Sequence, residues 1–249
     1  LLVLTMLMGL LTVSVSAQPA AQGSTVEDAI LYIVNAENEL EYNVVYSSAM
    51  TEATHVSGQG ISSIDELKTA LGTPDALGDA VTADLTITDG SVTEIVVKSI
   101  TERPIVGISW KKDSIGSDYS GFAEAFERNG ATSVFLPQVK TEEEAADVLS
   151  SIDGIFFTGG EDWNPDLYHE IQTPHGSSGW NDARDTSDIY LMRKAVELDV
   201  PLLAVCRGEQ GFNVALGGKL IQDVPYYLGQ QVLKGEISPA RVTGVLSGP

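Results

Sequence analysis

Cysteine occurs once in the 249 residues, at Cys206, so no internal disulfide can form and the fold must rest on its core. Basic side chains are scarce too: 14 Lys and Arg stand against 35 Asp and Glu, a formal net charge of -21. Such a surface repels phosphate backbones and anionic headgroups, which excludes nucleic acid as a partner. No run of like charge is long enough to read as an interaction tail. Histidine is limited to His55, His169 and His175. No group of His, Cys, Asp and Glu has metal-ligand spacing and no phosphate loop is present, so neither a metal nor another cofactor is expected. Hydrophobic residues make up 43%, with 24 Gly and 10 Pro. A chain of this length and composition is expected to be globular, as one large domain or a medium domain plus a small one.

The first 17 residues, LLVLTMLMGLLTVSVSA, carry no charge. They read as the apolar region of a secretory signal peptide, with Val15-Ser16-Ala17 supplying the small residues of a cleavage site. The stretch is short for a bilayer span of about 20 residues. An uncleaved N-terminal segment is the one membrane contact that remains open. No basic region precedes the apolar run and the first residue is Leu, so the signal peptide is expected to be partial. Localisation is therefore expected to be secreted or extracytoplasmic.

Residues 25–99 read as a small α+β or β-rich accessory domain. Glu41 to Tyr46 and Leu85 to Thr88 alternate apolar and polar side chains, the period of a half-buried strand. Asp89-Gly90 between Leu85–Thr88 and Val92–Val97 signals a tight hairpin whose two turn positions need positive φ. Ser62 to Leu71 predicts a short helix capped by Ser63, with Glu66 completing a capping box.

From Arg103 onward strands and helices alternate. PIVGIS (104–109) is a continuous apolar run, the mark of a strand buried on both faces. Tyr119, Phe122, Ala123 and Phe126 share one helix face, and Asn129-Gly130 closes that helix. Ala131 to Pro137 is a second strand. Thr141 caps a helix with Glu144 at its third position and Ala145, Val148, Leu149 and Ile152 inward. GIFFT (154–158) is a third strand. Another helix spans Thr186 to Leu198 with Ile189, Met192 and Val196 inward. PLLAV (201–205) is a fourth strand, and a helix from Gly208 to Leu216 ends at Gly217-Gly218. This alternation predicts a parallel sheet covered on both faces, with ligands at the carboxyl ends of its strands.

Two loops at those ends carry the chemistry. Cys206 stands where a buried strand stops and a helix starts, the setting of a nucleophile elbow, with Gly208 clearing the approach. The helix N-terminus favours a thiolate there, and the backbone N–H of Arg207 can donate to a developing oxyanion. By spacing alone, Cys206 reads either as this nucleophile or as a small buried hydrophobe. Gly159-Gly160 follows the GIFFT strand and allows backbone N–H groups to face a ligand closely.

Cys206-Arg207-Gly208-Glu209-Gln210 after PLLAV, followed by NVALGGKL, resembles the nucleophile segment of class I glutamine amidotransferase-like proteins. RPIVGIS (103–109), FTGGEDWNPDLY (157–168) and Ala183-Arg184-Asp185-Thr186 narrow the likeness to the γ-glutamyl-γ-aminobutyrate hydrolase group, peptidase family C26. It covers residues 103–225. The resemblance implies a flavodoxin-like sheet and a domain over 103–249. It further implies attack by Cys206 on a γ-glutamyl amide and an oxyanion held by the N–H groups of Arg207 and the Gly159-Gly160 loop. It places Gln210 near the glutamyl moiety and makes Arg184 and Asp185 a matched pair that either touches substrate or ties down the loop. A small γ-glutamyl compound is the expected partner, with the leaving amine and the oligomeric state undetermined. Asp188 stands where the family pattern more often has Glu.

The family takes a catalytic His and an acidic partner from a segment after the nucleophile. No histidine follows Cys206 here. The expectation is a domain truncated at its C-terminus, with His and acid beyond residue 249. The alternatives are a noncatalytic exported binding protein on a degenerate glutaminase fold, or the glutaminase part of an amidotransferase.

Overall fold

A computed structural model describes residues 23–33, 40–42, 49–73, 76–110, 117–173 and 176–238. The expected signal peptide, the later half of the Glu41–Tyr46 segment, His175 and residues 239–249 lie outside this set. The chain divides into two compact units, residues 1–105 with 120–133, and residues 106–119 with 134–249. Among the described residues no helix is long and apolar enough to cross a membrane.

The first unit is built on a five-stranded sheet. Its strands are β1 (Ser24–Ile33), β2 (Leu40–Tyr42), β3 (Ala49–Ser57), β6 (Ala80–Thr88) and β7 (Ser91–Thr101), in the order β2-β1-β6-β7-β3. All neighbours run antiparallel except β3 and β7, which are parallel. The alternation along β6 is fully expressed: Val81, Ala83, Leu85 and Ile87 are buried while the residues between them are half-buried. Asp89 (φ 51°) and Gly90 (φ 78°) make the predicted hairpin turn, closing on the Thr88–Ser91 pair. Helix α1 (Ile64–Leu71) packs Ile64, Leu67 and Leu71 into the core of this sheet. Ser63 Oγ accepts from the Glu66 N–H, and the Glu66 carboxylate accepts from the Ser62 N–H and hydroxyl. The reciprocal bond of the capping box thus reaches one residue further back than expected. A two-residue ladder, β4 (Gly72–Thr73) with β5 (Ala76–Leu77), follows α1.

The α/β segment has a four-stranded sheet of β8 (Ile105–Ser109), β9 (Thr132–Phe135), β10 (Gly154–Phe157) and β11 (Leu202–Ala204), in the order β11-β10-β8-β9. β10 runs parallel to both β8 and β11. With helices α2 (Ser117–Arg128), α3 (Glu142–Leu149), α4 (Asp182–Glu197), α5 (Arg207–Ala215) and α6 (Val224–Leu233), this is the flavodoxin-like α/β arrangement. Its core gathers Leu149, Ile155, Phe157, Trp163, Leu191, Met192 and Val214. Thr141 and Glu144 cap α3 as expected. Two details of α4 differ. It begins at Asp182, capped by Asn181, four residues ahead of the predicted start. Val196, expected inward, is 47% exposed, and Leu191 and Ala195 fill that face instead. The helix begins early because its first turns bury charge rather than hydrocarbon, a signal that apolar periodicity does not carry.

Candidate active site

Cys206 occupies the turn between β11 and α5 with φ 54° and ψ -114°. A side chain rarely adopts positive φ, because its Cβ crowds the backbone, and such strain persists only where surroundings impose it. Three hydrogen bonds impose it here. The Val205 N–H donates to Phe157 O (3.1 Å), the Gly208 N–H to Val205 O (2.9 Å) and the Gln210 N–H to Cys206 O (3.1 Å). At Gly208 an added Cβ would lie 2.5 Å from Phe157 O, so only glycine lets α5 start this close to β10. The thiol is exposed. Cys206 is therefore not a buried core cysteine.

The carboxyl end of β10 brings Gly159 to the same place. A Cβ at Gly159 would stand 3.5 Å from Cys206 Cβ and 3.8 Å from its Sγ. Gly160 follows with φ 146°, and a Cβ there would lie 2.5 Å from Arg184 Nη1. The N–H of Arg207, first residue of α5, has no intrahelical acceptor and belongs to the positive end of the helix dipole. Gln210 is exposed on the first turn of α5. The elbow and the two-glycine loop therefore meet at one place, with Gln210 exposed one turn along α5.

Beneath that surface lies a layer of buried charge. Arg184 (0% exposed) donates through Nη2 to Thr158 Oγ1 (2.7 Å) and Gly159 O (3.0 Å), and through Nη1 to Glu161 (3.0 Å). Arg207 turns its side chain away from solvent, where it donates to Asp185 and Asp188 and lies 4.0 Å over the Trp163 ring. The Trp163 indole N–H donates to Arg207 O (2.8 Å). Asp185 also accepts from the Asn164 N–H (3.1 Å), and Asp188 from the Ser109 hydroxyl. Burial holds the Asp185 carboxyl above its usual range, while the Arg207 guanidinium and the Asn164 N–H pull the other way.

Each residue singled out from the sequence therefore has a place. Cys206, Gly160 and Gln210 are exposed and Gly159 is half-buried, while Arg207 is buried as a whole. The side chains of Arg184, Asp185 and Arg207 lie underneath. Sequence reasoning passed over Glu161, Trp163 and Ser109, and noted Asp188 only as a departure from a pattern. The i, i+4 spacing of Arg184 and Asp188 on one helix face was the available signal. His169 stands exposed at the end of a short 3-10 turn (Pro165–Tyr168), with φ 57°. Among the described residues no group of three or more His, Cys, Asp and Glu is placed to hold a metal ion.

A sequence model of the peptidase C26 family matches residues 96–239, more than half of the chain. The chain belongs to the peptidase C26 family. Among its curated relatives, the glutamine amidotransferase-like YvdE homolog of Lactococcus lactis subsp. cremoris is 38% identical over 116 residues, 46% of this chain and 59% of that protein. Protein NtpR of Enterococcus hirae is 36% identical over 107 residues, 43% of this chain and 44% of the relative. The γ-glutamyl-γ-aminobutyrate hydrolase PuuD of Escherichia coli is more distant, 26% identical over 132 residues and 50% of each chain. The chain spans about half the length of the curated relatives it matches. Peptidase C26 membership supports a hydrolase or amidotransferase function.

Proposed function

We propose that this chain carries the nucleophile of an exported cysteine hydrolase that cleaves γ-glutamyl amide bonds. The observation that carries the reading is an exposed cysteine held at φ 54° on a strand-to-helix turn, against a two-glycine loop. The Cys206 sulfur attacks the γ-carbonyl carbon, forming a C–S bond as the carbonyl electrons move to oxygen. The Arg207 N–H and the amides of the Gly159-Gly160 loop donate to that oxyanion. When the oxygen reforms its double bond, the C–N bond breaks and the amine leaves with the proton given up by the thiol. Water then splits the γ-glutamyl thioester and regenerates the thiol. Gln210, exposed beside the elbow, is assigned to the glutamyl end of the substrate. The uncharged apolar opening of the sequence supports export, and the charge of -21 argues against nucleic acid as a partner.

The second reading is an exported binding protein that retains the pocket without turnover. The test is turnover of γ-glutamyl-p-nitroanilide and γ-glutamyl-GABA by the product of the complete gene and by its Cys206→Ala variant. Hydrolysis abolished by Cys206→Ala is expected. A folded protein that turns over neither compound but binds γ-glutamyl-GABA would establish the binding protein instead.

A further inference from the structure

The structure assigns Arg184, Asp185 and Asp188 a positioning role: from the first turns of α4 they clamp the Gly159-Gly160 loop and the Cys206 elbow into one rigid piece. The inference rests on the hydrolase reading above and deepens it, by choosing between the two roles left open for the Arg184–Asp185 pair. These side chains are 0%, 1% and 1% exposed, so none of them presents an atom to a substrate on the surface. What they do reach is backbone and buried charge. Arg184 binds the loop from below through Thr158 Oγ1, Gly159 O and Glu161. Asp185 and Asp188 grip the Arg207 guanidinium, and Arg207 is the residue directly after the nucleophile. Asp188 also lies 3.5 Å from Arg184 Nε, which joins the loop half of the clamp to the elbow half.

The backbone is shaped around this arrangement. Gly160 leaves the space that the Arg184 guanidinium occupies, since a Cβ would come within 2.5 Å of Nη1. Trp163 closes the opposite side, stacked on Arg207 and bonded to its carbonyl. A fork of planar N–H donors suits this task, because Arg184 satisfies the loop hydroxyl, a loop carbonyl and a carboxylate at once. A lysine at the same place would keep the charge but could not span the three acceptors. The physical consequence is preorganisation: the oxyanion donors stay aimed at one point beside Sγ without rearranging during reaction.

Arg184→Lys and Gly160→Ala test the clamp from two sides, the second displacing the guanidinium without removing any charge. Amide hydrogen exchange is measured by mass spectrometry on the peptide spanning 158–162, alongside kcat and KM for γ-glutamyl-p-nitroanilide. The expected result is exchange of the loop amides about tenfold faster or more in both variants, with β8 and β10 unchanged. Turnover should fall about 10²–10³-fold in kcat at nearly constant KM. Unchanged loop exchange would overturn the clamp. So would acceleration spread evenly over residues 134–238, or a rise in KM with kcat intact, which would mean substrate contact. The exchange comparison decides even in a protein without turnover, so failure of the hydrolase reading and failure of the clamp are separate results.

Discussion

At the scale of the single residue, the site turns on the backbone of Cys206. Its φ of 54° with ψ of -114° lies outside the regions an L-residue occupies comfortably, a strain of about 1–3 kcal/mol. Glycine at this position would relieve the strain, at the cost of about 0.5–1 kcal/mol from the extra freedom of its unfolded chain. Cys206→Ala keeps the Cβ and hence the strain. Cys206→Gly is therefore expected to be more stable than Cys206→Ala by about 1 kcal/mol in urea unfolding. Cys206→Gly less stable than Cys206→Ala by about 0.5–1 kcal/mol, the glycine cost alone, would show that the elbow is not held under strain. The place of this residue was legible in the sequence, because a continuous apolar run ending in Cys-Arg-Gly marks a strand-to-helix turn, although that run is only half-buried at β11 and exposed at Val205. The direction of the Arg207 side chain was not. Charge is expected at surfaces, and only the facing Asp185, Asp188 and Trp163 make its burial affordable.

At the scale of the element, the caps were the most legible features. Ser63 and Thr141 each accept from the N–H three residues on, and the carboxylates of Glu66 and Glu144 each reach back to the N–H four residues earlier. The Ser62 N–H and hydroxyl, donating to the Glu66 carboxylate, hold its pKa below the ordinary 4.5. A carboxylate whose native pKa is lowered adds stability above its unfolded value and loses it as pH falls through the native one. Glu66→Gln should therefore destabilise the first unit near neutral pH, and that difference should shrink as pH falls below 4.5 and through the lowered native value. Thermal melts followed by circular dichroism across this range check it, and a pH-independent difference would assign the effect to packing. The two hairpin strands were read correctly in kind but short in extent, the strands of the second sheet were read one to three residues too long, and β1 and β3 were not read as strands. β6 and β7 continue to Ala80 and Thr101, past the alternating core of the hairpin. The parallel strands were legible as apolar runs between helical stretches. α4 was less so, since its inward face mixes Arg184, Asp185 and Asp188 with Ile189 and Met192.

At the scale of the whole molecule, the dominant fact is the imbalance of 35 acidic against 14 basic residues. Only part of the acidity is internally neutralised. Asp185, Asp188 and Glu161 face arginines, but others, such as Glu142 and Glu143 at the start of α3, are exposed. A folded chain concentrates that charge in a smaller volume than the unfolded one, so mutual repulsion acts against folding. Added salt screens it: the Debye length falls from about 30 Å at 0.01 M to about 3 Å at 1 M, below the spacing of most surface carboxylates. The buried pairs around Arg184 and Arg207 are shielded from the solvent ions and should lose little by the same treatment. Melting temperature should therefore rise by several degrees between about 0.01 M and 0.5 M sodium chloride, with sodium sulfate raising it further through preferential exclusion. A melting temperature that falls with sodium chloride would mean that favourable ion pairs, not repulsion, dominate the surface. The -21 net charge would then be offset by local pairing of the kind seen between Lys98 and both Asp28 and Asp84.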